Sequence, residues 1–333
     1  MPFAALCLAL LAPMDQAQTT LTRKFVANEK LAYAIRSHLT TEQRQRGLQT
    51  WLPSDTDINY NCSIFVRAMQ ADGFAVVHYT RPTMTIIEDD NGDPKTQIEK
   101  SNINVRLLLS PVNEMIDARD LNPPKKPKKP GAAASEDDGG GRMVGPDDTT
   151  AYGLAIFGQF ASETERLALF IGSLDSSLDL APKLPLTAVK VGDTWQRTIG
   201  YQPQKLKGKE GKSAVQRLDY TFTYLGPKVV DGKSILRIQA KLDFKTDLLD
   251  YVKSIMEEIG GNGKTILSSL PLNLKATIDY DLDPKTRHTL ATRATSEGGY
   301  GLFLKGDTDA LMEGRFKGRT DVDLVGRKLN AKE

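Results

Sequence analysis

The chain has 333 residues, 40% of them hydrophobic, with 44 Lys and Arg against 42 Asp and Glu for a net charge of +2. That balance provides no basic field for nucleic acid, and no apolar run reaches the roughly 20 residues of a membrane helix. The length exceeds a usual single core, so two globular domains are expected.

The first element is the apolar run FAALCLALLA, Phe3 to Ala12. Its length predicts a secretory signal segment over residues 1–20, although no Lys or Arg precedes it and no small-x-small cleavage site follows. The competing reading is a buried N-terminal segment. Ala4-Ala5-Leu6 before Cys7 is a poor lipobox, which favours a removed signal over a lipid anchor. Removal would leave Cys62 as the only cysteine, with no internal disulfide.

Residues 21–121 read as an N-terminal β-rich domain. Thr40 to Gln49 is polar on nearly every side and reads as a loop or short surface helix. Ile58, Tyr60, Cys62, Ile64 and Val66 then alternate with polar residues and predict a strand with Cys62 on its apolar face. No His or cation adjoins Cys62 to activate it, so it reads as a small buried hydrophobe. Asp72-Gly73 supplies a hairpin turn, as does Asn91-Gly92 within EDDNGD at 88–93. Residues 122–150, rich in Pro, Gly and charge and without apolar periodicity, predict a disordered linker. The lysines from Lys125 to Lys129 are offset by the acidic run Glu136 to Asp138.

Residues 151–330 read as a second β-rich domain with two helices. Phe157, Phe160, Ala161, Leu167, Ala168 and Ile171 form a helical stripe within 152–174. In the segment 246–259, Leu248, Leu249, Val252, Ile255, Met256 and Ile259 form another, with Thr246 or Asp247 as cap and Gly260-Gly261 as stop. Leu218, Tyr220, Phe222 and Tyr224 alternate in one strand and Leu236, Ile238, Ala240 and Leu242 in the next, with Asp231-Gly232 between. Ile278, Tyr280 and Leu282 alternate against Asp279, Asp281 and Asp283. Further β-like segments run from His288 to Ala294 and from Met312 to Leu324.

Three anchors recur in one order and predict an internal duplication. ANEKL at 27–31 matches VGDTW at 191–195, Asp72-Gly73 matches Asp231-Gly232, and the strand–Pro–strand unit around Pro111 matches that around Pro284. The last pair lies furthest apart, as a helix inserted in the second copy would require. The expected fold is therefore α+β and mainly antiparallel: two related curved, half-barrel-like sheets, each partly covered by helix.

Motifs for chemistry are absent or incomplete. His38, His78 and His288 lack metal-ligand spacing, no G-x-S-x-G elbow occurs, and KGKEGKS at 207–213 lacks the first glycine of a phosphate loop. Asp279, Asp281 and Asp283 line one strand face but lead into Pro284 rather than a calcium loop. No catalytic residue, cofactor or metal site is assigned.

The layout resembles bacterial lipoprotein carriers of the LolA and LolB type, a bent sheet closed by a helix. The chain is also similar to an uncharacterised family of secreted bacterial proteins in which a VGDTW motif, here Val191 to Trp195, opens a strand. The resemblance covers Ala188 to Leu324 and, loosely, the first half. It implies an extracytoplasmic location, periplasmic or secreted, and a cavity between sheet and helix, and it transfers no catalytic residue. The residues expected to line such a cavity are Trp195, Tyr220, Phe222, Leu236, Ile238, Leu249, Val252 and Met256. The expected function is a non-catalytic secreted or envelope protein holding a lipid or acyl chain. The alternatives are an envelope module that binds a protein partner and a secreted hydrolase with dispersed residues.

Overall fold

A computed structural model describes residues 18–90, 92–122, 165, 168, 182–201, 216–250 and 267–331. The first half contributes β1 (Lys30–Gln45), β2 (Leu52–Met69), β3 (Ala75–Arg81), β4 (Met84–Asp90), β5 (Pro94–Glu99), β6 (Ile103–Leu109) and β7 (Met115–Asp120). The second contributes β8 (Thr194–Tyr201), β9 (Gln216–Val230), β10 (Lys233–Asp247), β11 (Leu267–Ser269), β12 (Pro271–Leu282), β13 (Thr289–Leu304) and β14 (Met312–Lys328).

All strands join one 14-stranded sheet, ordered β7-β6-β3-β2-β1-β14-β13-β12-β10-β9-β8, with the β4–β5 hairpin beside β2 and β11 beside β13. Every pairing is antiparallel. This overturns the expected α+β fold of two helix-covered sheets: 68% of the described residues are strand and 2% helix. The cause is β14. It follows the repeated unit and pairs with β13 on one side and β1 on the other, fusing the halves through a long ladder from Lys30↔Lys328 to Gln45↔Met312. A bent sheet closed by a helix, as in the LolA and LolB layout, is not what the described residues form.

Within this single sheet the repeat is visible in the backbone. Asn28 N–H donates to Val66 O (2.8 Å) and Gly192 N–H to Tyr224 O (2.8 Å). Val66 N–H returns to Glu29 O and Tyr224 N–H to Asp193 O. Asn28 and Gly192 both take positive φ, 60° and 94°, which starts each unit with the same tight turn. One residue after Val66 and after Tyr224 the register slips, marking a β-bulge in each copy. Gly226, at the second bulge, has φ 85°, and a Cβ there would lie 2.8 Å from Val191 Cγ2, so the VGDTW turn packs directly on it. The turns around Pro111 and Pro284 also correspond: Ser110 Oγ and Asp283 Oδ1 each accept two backbone N–H groups, and Asn113 and Arg287 both have φ 62°. Both copies carry an insertion at one point, β4–β5 between β3 and β6, and residues 248–270 between β10 and β12.

Thr40 to Gln45 is strand, not loop or helix, because it pairs with β14 throughout and with β2 as far as Gln43. Asp247 does act as a cap: its Oδ1 accepts the N–H of Leu249 at 2.9 Å. Thr246 remains in β10. Beyond this cap, Leu249 and Asp250 are helical, as are Glu165 and Ala168 of the predicted 152–174 helix; the remainder of both segments lies outside the described residues. So do residues 1–17, the linker from 123 on, and KGKEGKS.

The sheet curls until its ends approach. Arg197 Nε on β8 lies 3.9 Å from Glu114 Oε1, beside β7 at the opposite end of the strand order. Leu184 N–H donates to Val112 O, and Asn113 Nδ2 donates to Pro182 O at 2.9 Å. Residues 18–29 cross the same end of the sheet, which we call the base. They bridge Thr19 to Val189, Arg23 N–H to Pro111 O and Lys24 N–H to Thr286 O. Leu21 and Phe25 are buried there.

Candidate functional site

Antiparallel pairing lets the inner face be read as rungs, because residues opposite one another share a face. Two residues above Cys62, Tyr33, Leu282 and Leu236 on the same strands, Tyr60, Ile35, Val322, Thr292, Tyr280, Ile238 and Tyr224 form a bulky rung. Above it come Ile58, Ser37, Thr320, Ala294, Ile278, Ala240, Phe222 and Trp195. The third is Leu39, Gly318, Ser296, Ala276, Leu242, Tyr220 and Arg197. In these two upper rungs the middle of the sheet carries mainly small side chains, Ser37, Thr320, Ala294, Ala240, Gly318, Ser296 and Ala276. The result is a trough with an aromatic wall at β8 and β9.

Three glycines deepen it. A Cβ on Gly298 would meet Asn273 O at 2.3 Å and the Phe316 ring at 2.5 Å, and one on Gly314 would meet the Tyr300 ring at 2.2 Å. Both rings therefore lie flat across the neighbouring strand. At Gly318 a Cβ would touch Ser296 Oγ at 2.5 Å and Ala168 O at 3.4 Å, so a backbone segment rests on the trough floor. Ser296 Oγ donates to Ala168 O at 3.4 Å, and Tyr300 OH donates to Glu165 Oε1 at 2.9 Å. Burial pushes the Glu165 carboxyl up, against the downward pull of hydrogen bonds from Tyr300 and Gln43.

Of the residues expected to line a cavity, Tyr220, Phe222, Leu236 and Ile238 are buried on this face and Trp195 is half-buried. The Trp195 ring stacks on Phe222 with centroids 5.6 Å apart, and its Nε1 donates to Lys183 O at 2.7 Å. Leu249 packs against the same core from the far end of the sheet. Val252 and Met256 lie outside the described residues. Cys62 is buried on the inner face and forms no disulfide.

The base is polar, a feature the sequence did not announce. Arg23 is buried with its guanidinium 4.5 Å from the Phe25 ring centroid, and burial holds its pKa below the ordinary value. Buried Glu29 accepts from Arg327 Nε at 2.7 Å. Tyr33 OH donates to Thr289 O at 3.0 Å, and burial raises the Tyr33 pKa. His288 is buried at the β12–β13 turn; burial lowers its pKa to about 4, outweighing the favourable charge of Asp283. Burial also acts to raise Asp283, but hydrogen bonds from Thr286 and Lys285 prevail and hold it below the usual carboxylate value.

The outer face is wet and charged. Arg237 holds Asp281 through Nε at 2.6 Å and Nη2 at 2.8 Å, and Gln239 Nε2 donates to Asp279 at 2.9 Å. The period-two aspartates thus serve cross-strand pairs, and Asp283 serves a turn. His38 pairs with Asp57 at 2.9 Å on the exposed side. Among the described residues no cluster of His, Cys, Asp and Glu could hold a metal ion, and no helix is long and apolar enough to cross a membrane.

No family model matches the chain, and no curated protein matches its sequence. Among solved structures it is similar to lipovitellin, studied for its lipid–protein interactions, at 9% identity and TM-score 0.42, covering 93% of this chain and 26% of that one. The chain thus spans about a quarter of the lipovitellin chain. It is also similar to a DUF1329 family protein from Desulfovibrio piger (9% identity, TM-score 0.14, 90% and 87% of the two chains). A third is Pseudomonas aeruginosa OccK2 in complex with glucuronate (7%, TM-score 0.18, 89% and 97%). These likenesses are too distant to assign a fold family.

Proposed function

We propose that the inner face binds an acyl chain or similar lipid, and that the protein is a non-catalytic carrier or receptor outside the cytoplasm. The observation that carries this reading is the trough. The apolar face of this one-layer sheet is cut back in the middle to Ser, Thr, Ala and Gly beside the aromatic wall at β8 and β9, and an elongated ligand lying there would share the floor with the chain's own Ala168, which already rests on Gly318 and Ser296. Such a floor accepts an elongated apolar body, and each buried methylene contributes ~0.8 kcal/mol. Export would follow from the apolar run at Phe3–Ala12.

A second reading is favoured by β7. All of its residues from Met115 to Asp120 are exposed, and among the described residues it ends the strand order, an edge of the kind that takes strand addition by a partner protein. Native mass spectrometry of protein purified without detergent, with lipid analysis of a solvent extract, separates the two. A stoichiometric acyl ligand is expected; a clean apo mass together with no uptake of a fluorescent fatty acid would refute the carrier reading and favour the partner-binding one.

A further inference from the structure

We propose that the base of the inner face is a head-group site for an oxyanion, carboxylate or phosphate, carried by the amphiphile whose chain lies in the trough, with Arg23 as its charge partner. This rests on the acyl-binding reading above. Arg23 is 5% exposed, its backbone is fixed on Pro111, and its guanidinium donates no hydrogen bond among the described residues. A guanidinium presents five N–H donors in a fixed fork, which suits it to an anionic acceptor. Glu29 is near enough for its charge to be felt at Arg23, yet it accepts its hydrogen bond from Arg327.

Three polar atoms at this end are buried without a partner: His288 Nε2, Thr289 Oγ1 and Thr292 Oγ1. Thr289 pairs with Leu282 and Thr292 with Tyr280, which puts both hydroxyls on the inner face on either side of the bulge in β13. Both can donate to an oxyanion. His288 is prepared for a different contact. The Asp283 carboxylate can only accept, so the Thr286 hydroxyl donates to it, and His288 Nδ1–H must then donate to Thr286 Oγ1. That leaves Nε2 as an acceptor, suited to a hydroxyl on the head group. Tyr33 takes no part, because its hydroxyl is engaged by Thr289 O. The backbone brings Arg23 to this turn, because Lys24 N–H donates to Thr286 O, and its charge is felt at both Tyr33 and His288. Between base and trough, Thr292 and Val322 are the smallest side chains of the bulky rung, and the amphiphile's chain would cross there, over β13 and β14.

The test uses the full chain, freed of lipid, with cis-parinaric acid, its methyl ester and inorganic phosphate as probes. Wild type should bind the acid about tenfold more tightly than the ester, the scale of one charge-assisted hydrogen-bonded contact. Arg23→Gln should bring that ratio close to one. Thr292→Val, which preserves size and charge and guards against a folding defect in the arginine variant, should reduce the ratio in the same direction. Competition by inorganic phosphate against the acid but not the ester would show that the site takes a free oxyanion as well as one on a lipid. Equal binding of acid and ester by wild type would overturn the head-group site and leave the acyl reading standing; binding of neither would overturn both.

Discussion

His288 offers a direct measure of how dry the base is. Its imidazole falls from the ordinary 6.5 to about 4 in the fold, chiefly through burial. The folded state therefore keeps the ring neutral in a range where the unfolded chain takes up a proton, and stability must fall as the pH drops. The contribution is complete above the unfolded value of 6.5, declines as the pH falls toward 4, and changes no further below that. At 1.36 kcal/mol per pKa unit the loss amounts to ~3 kcal/mol across the window. Asp283 is also held low, but its stabilisation is lost only below the ordinary carboxylate value of 3.8, beneath the histidine window. Urea unfolding from about pH 7.5 to about pH 4.5 should show wild type weakening steeply while His288→Gln stays nearly flat. Equal slopes in the two proteins, or an imidazole titrating near 6.5 by NMR in the folded state, would refute a dry, neutral His288.

Two packing predictions follow from named contacts. Gly298→Ala should destabilise by ~3 kcal/mol or more, because its Cβ collides with a backbone carbonyl as well as the Phe316 ring, and co-substitution Phe316→Leu should recover only part of it; a melting temperature within error of wild type would contradict the close approach. Trp195→Ala should cost ~3 kcal/mol through loss of the Phe222 stack and the bond to Lys183 O, whereas Trp195→Phe should cost far less; denaturant midpoints unchanged in both would show that the ring carries no core packing.

Much of the strand content was legible because period-two alternation is local. Leu218 to Tyr224, Leu236 to Leu242 and Ile278 to Leu282 lie where their pattern put them, and Asp231-Gly232 makes the two-residue turn, with φ 48° and 73°, that its residue types favour. The anchors at Asn28 and Gly192 and at Pro111 and Pro284 coincide with recurring turns and hydrogen bonds, whereas Asp72-Gly73 lies in a longer connection than the two-residue turn at Asp231-Gly232. The union of the halves was not legible. It depends on pairing Lys30 with Lys328, and nothing in β14 distinguishes a central strand from an outer one. Thr40 to Gln45 escaped notice because apolar alternation ends with Leu39: inner-face Thr41 is backed by Phe316 from the next strand, which supplies the bulk that Thr41 lacks. The polar base was hidden for a related reason. Arg23 and His288 are buried by residues distant in sequence, and their neighbours in the chain are the ordinary polar residues of a loop and a turn.

The position of β14 also sets an order for folding. The strand that completes the middle of the sheet is the last to be made, and its partner β1 is the first. Until the ribosome has released residues 312–328, β1 presents one long unpaired edge and the halves have no covalent reason to align. Such a chain has a high contact order and should fold slowly and late, with an adhesive seam exposed in the meantime. A chain shortened by that one strand would not be a slightly smaller version of the protein. It would be two half-sheets, each with a sticky border, and its natural fate would be pairing with other copies of itself.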